Sequence, residues 1–265
     1  MTAAANLTLL FTEYSLAGRF AAARAAGFGA VELLFPYEMP AKDLRRLLQY
    51  ADQELVLFNT PAGNWAAGER GFAAVPGAEA KFRAGFERAM RWADVLRPRF
   101  IHVMAGIADG PAAWATFIRN LRWATARAGG RQLTIEPINP YDIPGYFLND
   151  FDSAAAILDK VGAANLHLQF DAYHAHRITG DVTGCWARHG WRAAHVQVAG
   201  SPGRHEPVGG DIDYPAFFAQ LAGDGYAGHV SGEYVPVGQT EDGLGWIAQV
   251  ALHEKRLPRG APGVF

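Results

Sequence analysis

The stretch QLTIEPINP, Gln132–Pro140, decides how this chain is read. Leu133, Thr134 and Ile135 have the apolar, β-branched make-up of a buried strand, and Glu136 follows at its end with Pro137 directly behind. An isolated carboxylate is costly to bury, so its placement asks for partners. Strand residues alternate faces, which sets Leu133 and Ile135 on one side and Thr134 and Glu136 on the other. The alternation recurs further on. In LHLQFD, Leu166, Leu168 and Phe170 oppose His167, Gln169 and Asp171. In AAHVQV, Val196 and Val198 oppose His195 and Gln197, and in HVSGE, Val230 opposes His229, Ser231 and Glu233.

Working outward, strand-like and helix-like segments alternate along the whole chain. Strands are expected at Asn6–Phe11, Ala30–Phe35, Glu54–Asn59, Phe100–Ala105, Gln132–Ile138, Leu166–Tyr173, Ala193–Gly200 and His229–Val235. Helices fill the gaps. LAGRFAAARAAGFG stops at Gly27. In Glu79–Leu96, Phe82, Phe86, Ala89, Met90 and Ala93 share one face. FDSAAAILDKVG takes Asp152 or Ser153 as its N-cap and ends at Gly162, and DYPAFFAQLAGDG opens at Asp213. A βα alternation of this kind fits a closed barrel or an open doubly wound sheet. The dinucleotide fingerprint of the latter is missing from FTEYSLAG, after the first strand. The 265 residues suit a barrel of about 250. The expectation is an α/β chain forming one (β/α)8 TIM barrel over residues 1–265, with its active site at the C-terminal ends of the strands.

Composition narrows the function. Half of the residues are hydrophobic and 19% are charged, enough for a large core, and the formal net charge of −2 argues against a nucleic-acid binder. Cys185 is the single cysteine, which excludes a disulfide framework and a cysteine zinc site and fits a reducing cytoplasm. No apolar run is long enough to span a membrane, and MTAAANLTLLFTEY lacks the basic region of a signal peptide. A homo-oligomer is compatible with the sequence.

In a barrel the apolar faces meet the helices and the polar faces point inward. Glu136, Asp171, Gln197 and Glu233 then converge at the C-terminal ends of four successive strands. Singly, such a residue reads as a loop acid or a helix cap, and Gln197 as part of a core hydrogen-bond network. Together they read as a site. Three converging carboxylates repel, and a bound divalent cation resolves this, with oxygen ligation favouring Mg²⁺ or Mn²⁺ over zinc. His102, His167, His195, His229 and Glu32 also face inward, in packing or supporting roles. Two long segments follow strands three and seven, where barrel active sites are built. In the first, Trp65 is a lid residue suited to excluding water, and Arg70 adds charge there as a substrate-binding residue.

LTIEPIN, LQFDAYH, HVQVAGSPGRHEP and SGEY, with NLTLLFTEY, AVELLFPYE and PAGNWAAGERG, make the chain resemble the hydroxypyruvate isomerase family within the xylose isomerase-like barrels. The resemblance covers nearly the whole chain. It implies one divalent metal ion at Glu136, Asp171, Gln197 and Glu233, with the two glutamates as acid–base pair. It further implies that His174 contacts substrate oxygens, that Arg204 neutralises the substrate's anionic end, and that Asp142 contacts substrate as in the related epimerases. The implied reaction interconverts hydroxypyruvate and tartronate semialdehyde. Gly200 stands where hydroxypyruvate isomerases carry Asp, and with HVMAG and RHEP it resembles the 2-oxo-tetronate isomerase branch. A ketose 3-epimerase and a catalytically silent ligand-binding barrel are the further alternatives. The related endonucleases need a histidine-rich zinc cluster and a basic groove, neither evident here.

Overall fold

Eight parallel strands, β1 (Thr2–Asn6), β2 (Ala30–Leu33), β3 (Glu54–Asn59), β4 (Phe100–His102), β5 (Gln132–Ile135), β6 (Leu166–Asp171), β7 (Ala193–Val198) and β8 (His229–Gly232), close in sequence order into a barrel, β1 pairing with both β2 and β8. This is the (β/α)8 architecture expected from the alternation. The computed structural model describes residues 1–254; the domain expected over 1–265 runs past them, and 255–265 lie outside the described residues. Helices α1 (Leu16–Ala25), α2 (Ala41–Tyr50), α3 (Glu79–Leu96), α4 (Gly110–Ala128), α5 (Phe151–Val161), α6 (Ala172–Thr179), α7 (Val182–His189), α8 (Tyr214–Gly223) and α9 (Trp246–Glu254) follow the strands, with two of them after β6.

The helices form where the sequence supplies both a stripe and its ends. The stripe of α3, from Phe82 to Ala93, is buried as its spacing predicts. Asp213 caps α8 by accepting the Ala216 N–H at 3.0 Å. The cap of α5 is Asp150, two residues before the expected Asp152, and it accepts the Ser153 N–H at 2.7 Å. Phe151 thereby becomes the first helical residue and packs its ring 5.1 Å from that of Phe170.

The first strand departs from expectation. It is the alanine-rich Thr2–Asn6, whereas Leu7–Phe11, with the stronger strand propensity, turns back over the barrel. The N–H groups of Leu9 and Leu10 both reach the Asn6 carbonyl. The reason is space: the lower barrel interior is a small cluster of Ala4, Ala30, Val56, Leu57 and Phe100, where a leucine run would not fit. Leu7, Leu10 and Phe11 instead join the main core outside it. Tertiary packing overrides strand propensity here.

β3 matches its expected range, and the remaining strands end earlier than expected. Residue 136 lies just past β5, residue 233 just past β8, and Asp171 is both the last residue of β6 and the N-cap of α6. The chain leaves the ladder where the polar residues must face a cavity. Above the strands, the long connections are knitted together by bridges between Gly71 and Ala105 and between Ile107 and Tyr146. Gly71 is needed there, because a Cβ would meet the Met104 carbonyl oxygen at 2.5 Å.

Candidate active site

A cavity of about 300 Å³ opens at the C-terminal ends of the strands. Its floor carries Glu136, Glu233, His174, Arg204 and Asp142, while Leu9, Leu34, Phe35, Met104, Ile138, Ile143, Val235 and Trp65 form apolar walls. Of the expected residues, Glu136, Glu233, His174, Arg204, Asp142 and Trp65 line it, whereas Asp171, fully buried, Gln197 and Arg70 do not. Gln197 is fully buried beneath the floor. Arg70 does not line the cavity: its guanidinium lies 3.7 Å from the Trp65 ring centroid and donates to the carbonyls of Trp65 and Glu69, so it props the lid residue from behind. Trp65 in turn meets Phe35 at 5.7 Å between centroids.

The carboxylates are held by a hydrogen-bonded chain through the barrel interior. Thr134 donates to Gln169 Oε1 at 2.8 Å, and Gln169 Nε2 donates to Glu136 Oε2 at 3.1 Å and to Gln197 Oε1 at 2.6 Å. Gln197 Nε2 donates to Glu32 Oε2 at 3.0 Å. Asn6 Nδ2 bridges Glu32 Oε2 (3.4 Å) and Glu233 Oε1 (3.3 Å). Glu32 is completed by a close contact with His195. Gln169 Oε1 accepts from Thr134 and Asn6 Oδ1 accepts the Thr8 N–H at 3.1 Å, which turns the NH2 of each amide towards the carboxylates. Register shifts fall beside two of its members, between Val31 and Glu32 with Val56 the extra residue opposite, and between Leu168 and Gln169 with Ala194 the extra residue opposite. The inward alternation pointed to Gln169 and Glu32, whereas Asn6 was hidden by the misplaced first strand.

The charge at the top of this chain is only partly compensated. Arg204 Nη2 lies 3.0 Å from Glu233 Oε2 and 3.5 Å from Asp171 Oδ2, with Nη1 3.8 Å from Asp142 Oδ2. Arg204 reaches them from left-handed backbone, φ 56°, uncommon for a residue with a side chain. Burial acts to lower its pKa, but Glu233, Asp171, Glu136 and Asp142 together raise it above the ordinary value. Burial, then Glu233 and Asp171, hold the Glu136 carboxyl well above the usual carboxylate range. Burial pushes Glu233 up to about 8 against the opposing pull of Arg204. Burial pushes His102, 3.6 Å from Glu136 Oε2, down to about 3.

These observations fit a divalent cation. Glu136 Oε1 and Asp171 Oδ2 are buried oxygens with no hydrogen-bond donor. One ligand atom from each of Glu136, Asp171 and His174 lies within 4.8 Å of the others, the one such group among the described residues. Oxygen-rich donors of this kind match a hard metal.

The family model for xylose isomerase-like TIM barrels matches residues 20–250. The chain belongs to that family. A Cupriavidus necator relative named 2-oxo-tetronate isomerase is 47% identical over 92% of this chain and 96% of its own length. An Escherichia coli relative named hydroxypyruvate isomerase is 39% identical, with the same coverage of both chains. A solved Brucella melitensis structure, described as AP endonuclease, family 2, is 41% identical and superposes with a TM-score of 0.90 over 94% of this chain and 98% of that one. The likeness to D-psicose 3-epimerase from Clostridium cellulolyticum H10, at 15% identity and TM-score 0.75, is one of fold. No helix among the described residues is long and apolar enough to cross a membrane.

Proposed function

We propose that this protein is a divalent-metal-assisted isomerase of small 2-oxo sugar acids, converting hydroxypyruvate to tartronate semialdehyde. The observation that carries the reading is the buried Glu136–Asp171–Glu233 cluster, with unpartnered oxygens on Glu136 and Asp171, at the base of a small cavity in a chain whose curated relatives are named as isomerases. Glu136, Asp171, Gln197 and Glu233 would hold the cation. When bound, it supplies a Lewis acid that makes the C–H beside a carbonyl more acidic and steadies the enediolate charge.

The reaction moves one proton between adjacent carbons and another between their oxygens. Glu136 and Glu233, one on each side of the cluster's strands, are the two groups suited to exchanging the carbon protons. Burial and neighbouring carboxylates raise the pKa of both above the ordinary carboxylate range, the direction that favours taking and returning a proton. Arg204 is the cation at the cavity and anchors the substrate carboxylate by charge-assisted hydrogen bonds. His174 and Asp142 meet substrate oxygens. Leu9, Leu34, Met104 and Ile138 line the walls and, with Trp65 at the mouth, keep water from the intermediate.

A second reading, a four-carbon 2-oxo-tetronate substrate, is favoured by Gly200 as well as by the more similar relative. A Cβ at Gly200 would stand 2.4 Å from the Glu206 carbonyl oxygen, and the Gly200 N–H bonds the His205 carbonyl at 2.8 Å. The loop that carries Arg204 is folded down in a way that an Asp at this position would not allow. The test is a direct comparison of kcat/KM for the two acids, with NMR detection of the isomer, an aldehyde from hydroxypyruvate and a 3-oxo acid from 2-oxo-tetronate. Formation of either isomer, with deuterium taken up from solvent, supports the reading; an epimerised product with its carbonyl left in place contradicts it.

A further inference from the structure

The His174 ring stands at the centre of the cavity floor, and its two nitrogens face different surroundings. Nε2 looks towards Glu136 Oε1 at 3.8 Å and Asp171 Oδ2 at 3.7 Å. Nδ1 looks towards Asn139, whose side-chain Nδ2 lies at 2.7 Å and whose backbone N lies at 3.4 Å. The Asn139 amide has no freedom to turn. Its Oδ1 accepts the N–H groups of Tyr141 (3.1 Å) and Asp142 (3.0 Å), a local side-chain turn that aims the NH2 at the imidazole. Nδ1 thus meets two N–H donors and no acceptor. A hydrogen on Nδ1 would point at other hydrogens. The lone pair therefore sits on Nδ1, and the proton of the neutral ring sits on Nε2.

That assignment decides what His174 does. An imidazole nitrogen ligates a metal through its lone pair, and here the nitrogen facing Glu136 and Asp171 carries a hydrogen instead. Proximity to the two carboxylates does not make His174 a ligand. We propose that Asn139 is a positioning residue that locks His174 in its Nε2–H form, so that His174 donates a hydrogen bond to a substrate oxygen and stays out of the metal's coordination. The part concerning substrate rests on the isomerase reading; the tautomer is a property of the protein itself. The lock leaves the cation to oxygen donors, which favours Mg²⁺ or Mn²⁺ over metals that prefer imidazole nitrogen.

Asn139→Asp reverses the lock with little change of shape. One carboxylate oxygen still accepts the Tyr141 and Asp142 N–H groups, and the other now faces Nδ1. The ring proton moves from Nε2 to Nδ1, and Nε2 presents its lone pair to the cation. The first measurement is a long-range ¹⁵N–¹H correlation spectrum of histidine-labelled wild-type protein, with and without Mg²⁺, His174 being assigned by its loss in His174→Gln. Protonated Nε2 in both conditions is expected. A hydrogen on Nδ1, or a metal-shifted Nε2, overturns the proposal whether or not any variant folds. The second is calorimetric titration of wild-type and Asn139→Asp protein with Mg²⁺ and with Co²⁺. The variant should gain about tenfold or more in Co²⁺ affinity relative to Mg²⁺ while its kcat falls. An unchanged Co²⁺-to-Mg²⁺ ratio, with the variant folded and its His174 still protonated on Nε2, overturns the proposal. Wild-type protein that keeps the Nε2–H tautomer yet shows neither divalent binding nor isomerase turnover would instead sink the active-site reading.

Discussion

Glu136, Asp171, Gln197 and Glu233 stand at or just past the ends of strands β5 to β8, whereas β1 to β4 bring Asn6, Glu32, Asn59 and His102 into the same interior. The first set turns oxygens to the cavity or lies directly beneath it. The second set turns mainly to the first: Asn6 donates to Glu233, Glu32 accepts from Gln197, and Asn59 Oδ1 lies 3.3 Å from His102 Nδ1, next to Glu136. Under the proposed function, one half of the barrel carries the reacting groups, and the other half is hydrogen-bonded to them. Groups that hold a reacting residue contribute less individually than the residue itself, so substitutions in the two halves should differ in size and in kind.

The largest effects belong to the second half. Glu136→Gln and Glu233→Gln should each lower kcat by about 10²–10⁴-fold. Melting temperature should hold or rise, because burial raises both carboxyls and each charge is costly to keep. Steady-state kinetics beside thermal unfolding checks both statements, and full activity in either variant would remove the acid–base assignment. Arg204→Met should come next, raising KM for an anionic substrate by about 10–100-fold, the equivalent of losing charge-assisted hydrogen bonds of about 1.5–3 kcal/mol. An unchanged KM would leave Arg204 as a structural counter-charge to Glu233 and Asp171.

Glu32→Met probes the first half. It removes the acceptor that orients Gln197 and Asn6, and should weaken divalent binding or turnover by about tenfold, at the lower end of what outer partners of a metal site contribute. Loss as large as in Glu136→Gln would break the distinction between the halves. The smallest effect lies at the opposite end of β8. Burial pushes His229 down to about 4, against Glu54 at 3.8 Å. Its unfolded form takes a proton near pH 6.5. The folded state therefore keeps its full stability above about pH 6.5 and loses part of it as pH falls towards 4, because the unfolded chain binds the proton first. His229→Asn should flatten the acid side of the stability curve in that window without changing kcat, as read by urea unfolding at a series of pH values.

The same asymmetry explains what the sequence made legible. The second half could be read because a polar residue falls at an equivalent place on four consecutive strands, each flanked by apolar residues of the opposite face. The eight-fold alternation was legible for the same reason. The first half was less so. Thr2–Asn6 looks nothing like a strand until β8 and β2 pair with it, and Asn6 thereby escaped notice. Arg70 looked like a charge at the substrate because a loop position carries no direction; only the packing on Trp65 shows that it points away. Asn139, inside the very stretch that suggested the site, has its meaning fixed by His174, 35 residues later.

The central claim is that the carboxylates at the barrel mouth exist to hold a divalent cation for sugar-acid isomerisation. The direct measurement is turnover of hydroxypyruvate and 2-oxo-tetronate by protein stripped with a chelator and then resupplied with Mg²⁺ or Mn²⁺. The account predicts that stripped protein stays folded, converts neither acid, and regains isomerisation of at least one of them when metal returns. Undiminished turnover after stripping, or none of either acid with metal restored, would contradict it.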